Sequence, residues 1–226
     1  MPAVTPDRTI RLALDINVLI ADILAAGQGR RNTAATLLVE AVRSGICPAG
    51  PVQLVTSLPV IENYANVLHR RLGYAAAAAD DRAWILQQYA LEGPFAEPPY
   101  LVVGSGYIPF ETEEQLRQSI ASHLSRPEVD KLFHEVQDDR YVLETALAGR
   151  ADILVTADVA GFAKGPAVRF QRNDVVLFPF VDRTLVIAAP RFATYWLWQG
   201  IVPDAGFIAD HPEDFVAIAN GANERQ

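Results

Sequence analysis

The alternation of short apolar runs with helical segments constrains this chain more than any other feature. "IRLALD", "VQLVTS" and "ADILVT" are apolar at nearly every position and read as buried strands. Between them the periodicity turns helical. Residues 17–26 read as a helix closed by Gly27, and residues 33–43 as a second, with Asn32 as the predicted N-cap and Gly45 as its end. Ser57 is the predicted cap of a helix running to Leu72, and the alanine run from Ala75 begins another that reaches about Leu91. "GPFAEPPYLVVGSGYIPF" is irregular, with a hairpin at "GSG", and Thr112 with Gln115 forms a capping box for a short helix to about His123. A further helix covers residues 139–148, two or three short strands lie between Val168 and Ala188, and "PRFATYWLWQG" is a helix with Pro190 or Arg191 near its start. There is no repeat and no low-complexity linker. The alternation predicts an α/β layer fold with a parallel sheet.

Composition narrows the function. The chain has 226 residues, enough for one generous domain, and is half apolar. Its formal net charge of −8 argues against gripping nucleic acid through a bulk positive field. It does not argue against an enzyme whose acids cluster around metal ions, because those acids count here as bare charges. The single cysteine, Cys47, rules out an internal disulfide. "MPAVTPDRTIRLALD" has no apolar core long enough for a signal peptide, and no segment is long enough to span a membrane, so a cytoplasmic location is expected.

In "RLALDINVLIAD", Asp15 and Asn17 interrupt an apolar run. A buried carboxylate costs several kcal/mol unless a cation or hydrogen bonds compensate it. Either Asp15 caps the following helix or it holds something positive. In a parallel sheet, functional residues gather beyond the carboxyl ends of the strands. Asp15 ends the first strand, and "ILVTAD" puts Thr156 and Asp158 at the end of a later one, so both acids can face one crevice. At about 100° per residue, Glu62 lies on the shoulder of the apolar stripe made by Ile61, Tyr64, Ala65, Leu68 and Leu72. Asp139 continues the stripe of Val142, Leu143 and Ala146, whereas Asp138 is displaced by about a third of a turn and suits the N-cap.

"LALDINVLIA", "VTSLPVIENYANVLHRRL" and "DDRYVLETALAGRADILVTADVAGF", in this order, resemble the PIN-domain ribonucleases, the family that includes VapC-type toxins. "APRFATYWL" resembles the family's closing helix. The resemblance implies a three-layer α/β/α sandwich with a central parallel sheet, as a single PIN-like domain over residues 1–226. Its core is expected at about 9–162 plus 184–200, with insertions at about 94–127 and 163–186 and a C-terminal helical extension at about 203–226, where "HPEDFVAIAN" reads as an amphipathic helix with Pro212 at its first position. The resemblance further implies that Asp15, Glu62, Asp139 and Asp158 are catalytic and hold Mg2+ or Mn2+, with Asn17 and Thr156 as polar helpers. An all-carboxylate set without histidine suits these hard cations and disfavours zinc. The implied reaction is hydrolysis of an RNA phosphodiester by metal-activated water, leaving a 5′-phosphate and a 3′-hydroxyl.

His69, Arg70 and Arg140 are candidate substrate-binding residues, and Arg30 and Arg31 stand in the turn after the first helix; solvated surface charge is the plainer reading of each. "YWLW" at residues 195–198 reads as core rather than as a base-stacking platform. The insertions offer a lid, or a dimer or partner surface, and a homodimer is the expected assembly. The leading function is a metal-dependent endoribonuclease, the toxin of a pair with a cognate antitoxin protein. The alternative is a catalytically inactive PIN-like module acting through protein binding. An aspartyl-phosphate phosphatase stands third, because Asp15 lacks a second Asp two positions on.

Overall fold

The computed structural model describes residues 9–91, 101–102, 140–163, 168–170, 174–180 and 183–210. Strand β1 (Ile10–Leu14) leads into helix α1 (Ile16–Gly27), then α2 (Ala34–Ser44), a short hairpin of β2 (Ile46–Cys47) with β3 (Gly50–Ser57), and helices α3 (Leu58–Leu72) and α4 (Ala76–Leu91). After β4 (Leu101–Val102) come α5 (Arg140–Ala148), β5 (Ile153–Val155), the single turn α6 (Val159–Phe162), β6 (Val168–Phe170), β7 (Val175–Phe180), β8 (Arg183–Ala188), α7 (Pro190–Trp198) and α8 (Ala205–Asp210). The GSG hairpin, the Thr112–Gln115 capping box, Asp138, Asp139 and the helix at Pro212 lie outside the described residues.

The strands form one mixed sheet in the order β2-β3-β1-β5-β8-β7-β6, with β4 paired to β3. The inner four, β3, β1, β5 and β8, are parallel, as the alternation predicts. The flanks are not: β2, β7 and β6 pair antiparallel, so part of the expected second insertion continues the sheet beyond β8. Leu12, Ala13 and Leu14 are all buried, as are Ile153, Leu154 and Val155. Consecutive burial means that both faces of these strands are covered, the condition under which a parallel sheet is stable. Helices on both faces make this an α/β sandwich.

Local chemistry sets the helix ends, with some departures from the sequence reading. The N-cap of α2 is Thr33 rather than Asn32. Thr33 Oγ1 accepts from the Thr36 amide at 3.2 Å while Thr36 Oγ1 accepts from the Thr33 amide at 3.0 Å, a reciprocal cap. Ser57 occupies the N-cap position of α3 but makes no side-chain capping bond. Helix α1 runs through Gly27 and is capped at Gln28. Buried Gln53 on β3 donates to the Ala90 carbonyl at 2.9 Å, satisfying an acceptor in the last turn of α4.

Trp196 and Leu197 are fully buried, as the core reading of "YWLW" expects, whereas Tyr195 is exposed. Trp196 packs against Phe192 at 5.8 Å between ring centroids and meets Phe207 of α8 edge-on. Among the described residues no helix is long and apolar enough to cross a membrane.

Candidate functional site

The register of the parallel strands builds the site. Ala13 pairs with Val55 on one side and Leu154 on the other, and Leu14 pairs with Val155. The Asp15 amide carries the β1–β5 register one step further, donating to the Val155 carbonyl at 2.9 Å. Paired residues of neighbouring strands share a face of the sheet. Ser57, Asp15 and Thr156 therefore form a row across the carboxyl ends of β3, β1 and β5, on the side covered by α5. The local approach is close, since a Cβ built on Gly149, just past α5, would meet Val55 Cγ1 at 2.1 Å.

Asp15 is only 6% exposed. It stands at the N-cap position of α1 yet closes no capping hydrogen bond. Instead its Oδ2 accepts from Thr156 Oγ1 at 2.6 Å and from Asn17 Nδ2 at 2.6 Å. Asn17 is fixed from both ends: its Oδ1 accepts from the Ala157 amide at 2.9 Å, and its Nδ2 also lies 3.1 Å from Thr156 Oγ1. Thr156 Oγ1 in turn accepts from the Asp158 amide at 3.0 Å. Four residues separated by some 140 positions are thus one network, and the sequence reading placed all four in the site. Burial pushes the Asp15 carboxyl above its usual range, partly offset by the Thr156 hydroxyl, the nearby Ile16 and Asn17 amides and the Asn17 side chain.

The remaining expectations divide. Asp158 is exposed at the N-cap of α6, where its Oδ1 accepts from the Gly161 amide at 3.1 Å. Glu62 is exposed in the second turn of α3. Asp139 lies outside the described residues. Helix α5 is buried from Val142 through Leu147, the polar Glu144 and Thr145 included. Glu144 is a buried acid of which the stripe of Val142, Leu143 and Ala146 gave no sign. His69 and Arg70 follow Glu62 by seven and eight residues, about 10–12 Å along the helix axis. His69 Nδ1 lies 2.8 Å from the Tyr74 carbonyl, joining the end of α3 to the turn that follows. Arg140 opens α5.

Sequence reasoning took Ser57 for a cap and overlooked its real partner. Thr145 Oγ1 on α5 lies 2.7 Å from Ser57 Oγ and 2.6 Å from the Tyr141 carbonyl. The available signal was positional, because Ser57 ends its strand as Asp15 and Thr156 do theirs.

Residues 11–160 match the PIN domain. The chain belongs to the PIN-domain family. PIN domains are typically metal-dependent nucleases that use divalent metals, and the family implies a nucleic-acid substrate. Comparison with curated proteins and with solved structures brings no match.

The residues of this PIN domain fit such a metal in part. Asp15 is a buried carboxylate with no cationic side chain paired to it among the described residues, and its neighbours Thr156 and Asn17 fix its orientation. Oxygen donors of this kind suit a hard divalent cation. Among the described residues no three His, Cys, Asp or Glu side chains form a group that could hold a metal ion.

Proposed function

We propose that this PIN domain is a metal-dependent endoribonuclease whose cation, Mg2+ or Mn2+, is held by Asp15, Glu62, Asp139 and Asp158. The observation that carries the reading is the burial of Asp15 at the end of β1, where Thr156 and Asn17 hold it and no cationic side chain offsets it among the described residues. Such a group is costly to bury without a cation. Thr156 and Asn17 are positioning residues: their donors lock one carboxylate oxygen, and the Ala157 amide prevents the Asn17 side chain from turning away. When bound, the cation supplies the Lewis acidity that activates water and steadies the departing oxygen of a phosphodiester. Arg70, Arg140 and His69 are the phosphate-contacting candidates of this reading. RNA as substrate, and a toxin role opposed by a cognate antitoxin, rest on the likeness of the ordered motifs to VapC-type toxins.

A second reading draws on Asp158, whose Oδ1 serves as a helix cap. With that carboxylate committed to structure, the domain would act by binding protein without catalysis. One experiment separates the two. The purified chain is incubated with single-stranded RNA in Mg2+ or Mn2+, with and without EDTA, beside Asp15→Asn. Cleavage that needs metal and falls roughly a hundredfold or more in the variant supports the nuclease. Cleavage that EDTA and the substitution both leave intact would overturn it, and no cleavage with either metal would favour the second reading.

A further inference from the structure

Among the described residues, two side-chain hydrogen bonds outside the Asp15 network join α5 to the end of β3 and to the second turn of α3. The inner one is the Ser57–Thr145 hydroxyl pair at 2.7 Å. Both residues are deeply buried, with Ser57 1% and Thr145 4% exposed. The outer one runs from Asn63 Nδ2 to the Tyr141 hydroxyl at 2.6 Å. Ser57 and Asn63 bracket the first turns of α3, and Tyr141 and Thr145 lie one turn apart on α5. The pairing is antiparallel in sequence, so the opening turn of α5 meets α3 beside Glu62.

We infer that these two rungs form a polar clasp that sets α3 against α5, making Asn63, Tyr141, Ser57 and Thr145 positioning residues for cation binding. Stability alone does not account for such groups. Replacing both partners of a buried hydrogen bond by apolar groups of similar shape is often nearly neutral. A directional pair instead fixes register and distance, because a hydrogen bond weakens steeply outside a narrow geometry. What that register governs lies next to it. Ser57 shares the strand-end row with Asp15, and Asn63 adjoins Glu62 in the chain. The clasp thus ties the helix that carries Glu62 to the elements around Asp15 while touching neither carboxylate.

The inference rests on the metal-site reading above, and its test separates the two. Mn2+ is titrated into the full chain by calorimetry, and each protein is also melted in EDTA. Tyr141→Phe and Asn63→Ala should melt close to wild type in EDTA yet bind Mn2+ on the order of tenfold more weakly, the lower end of what losing a direct partner of a ligand costs. Thr145→Val should weaken Mn2+ similarly, whereas Thr145→Ser, which keeps the hydroxyl, should restore wild-type affinity. Unchanged Mn2+ affinity in both Tyr141→Phe and Asn63→Ala, beside a wild type that binds, overturns the clasp alone. A wild type that takes up no Mn2+ overturns the metal-site reading and the clasp with it.

Discussion

Thr156 and Asn17 both donate to Asp15, yet burial still drives its carboxyl above the ordinary range, so the hydrogen bonds do not cancel the loss of water. A carboxyl raised in the folded state favours the proton there. Its stabilising contribution is therefore present at low pH and is lost as pH rises through the folded pKa, leaving a penalty at neutrality. Asp15→Asn removes that penalty while its amide oxygen can still accept from Thr156 and Asn17. In EDTA at pH 7 the variant should melt no lower than wild type, and any advantage should shrink as the pH is lowered and wild type takes up a proton at this site. With millimolar Mn2+ the order reverses. A cation that binds only the folded state adds about 2.7 kcal/mol at a hundred times its dissociation constant, or about 5 to 10 °C for a domain of this size, and the variant should forfeit most of it. Thermal melts of both proteins across pH, with EDTA and with Mn2+, are the measurement. A variant melting well below wild type in EDTA would make Asp15 a structural residue.

Helix α5 depends on a glycine just beyond its last turn for its approach to the sheet. A methyl at Gly149 would lie 2.1 Å from Val55 Cγ1 and 3.1 Å from the Thr145 carbonyl. Val55 is β-branched and buried, so it cannot swing aside cheaply. Gly149→Ala should cost about 1–3 kcal/mol by overpacking, a drop on the order of 2 to 12 °C, and because the shift falls beside Thr145 it should disturb the α3–α5 contact as well. Gly27→Ala is the control, with nothing within 4 Å of its Cβ, and should leave the melting temperature unchanged or slightly higher. Equal melting temperatures for the two variants would mean that α5 has room to slide. The same element marks the limit of what the chain reveals unfolded. Apolar period made the inner strands and helices α1–α5 and α7 legible, within a residue or two at the ends, whereas the single turn α6 was not and two expected caps, Asn32 and Ser57, do not cap. Asp15, Asn17, Thr156 and Asp158 were legible as a set because each stands at or just past a strand end, where topology dictates convergence. The partnership of Ser57 with Thr145 was not, since it depends on a register between elements 88 residues apart. Nor did sequence reveal that α5 is buried all round, because Glu144 and Thr145 look like solvent-facing residues in a linear reading.

At the scale of the whole molecule the tension is between a nucleic-acid substrate and a formal net charge of −8. A protein that neutralises Z phosphates on a single strand loses affinity with salt at a log–log slope of about −0.7Z. An extended basic footprint with Z near 5 would lose roughly a hundredfold between 50 and 200 mM salt. This chain has 19 Lys and Arg against 27 Asp and Glu, and its phosphate-contact candidates number three, of which His69 is already bonded to a backbone carbonyl. A Z of about 2 then gives a loss of only about sevenfold over the same range. Screening of the overall negative field acts in the opposite direction and shallows the slope further. The expectation is that kcat/KM on a short single-stranded RNA at saturating Mn2+ falls less than about tenfold from 50 to 200 mM KCl, because recognition at the carboxylate site does not depend on a sheath of lysines. A fall near a hundredfold would place an extended cationic surface in the productive complex, supplied either by residues outside the described set or by a second protein, and would displace Arg70, Arg140 and His69 as the chief phosphate contacts.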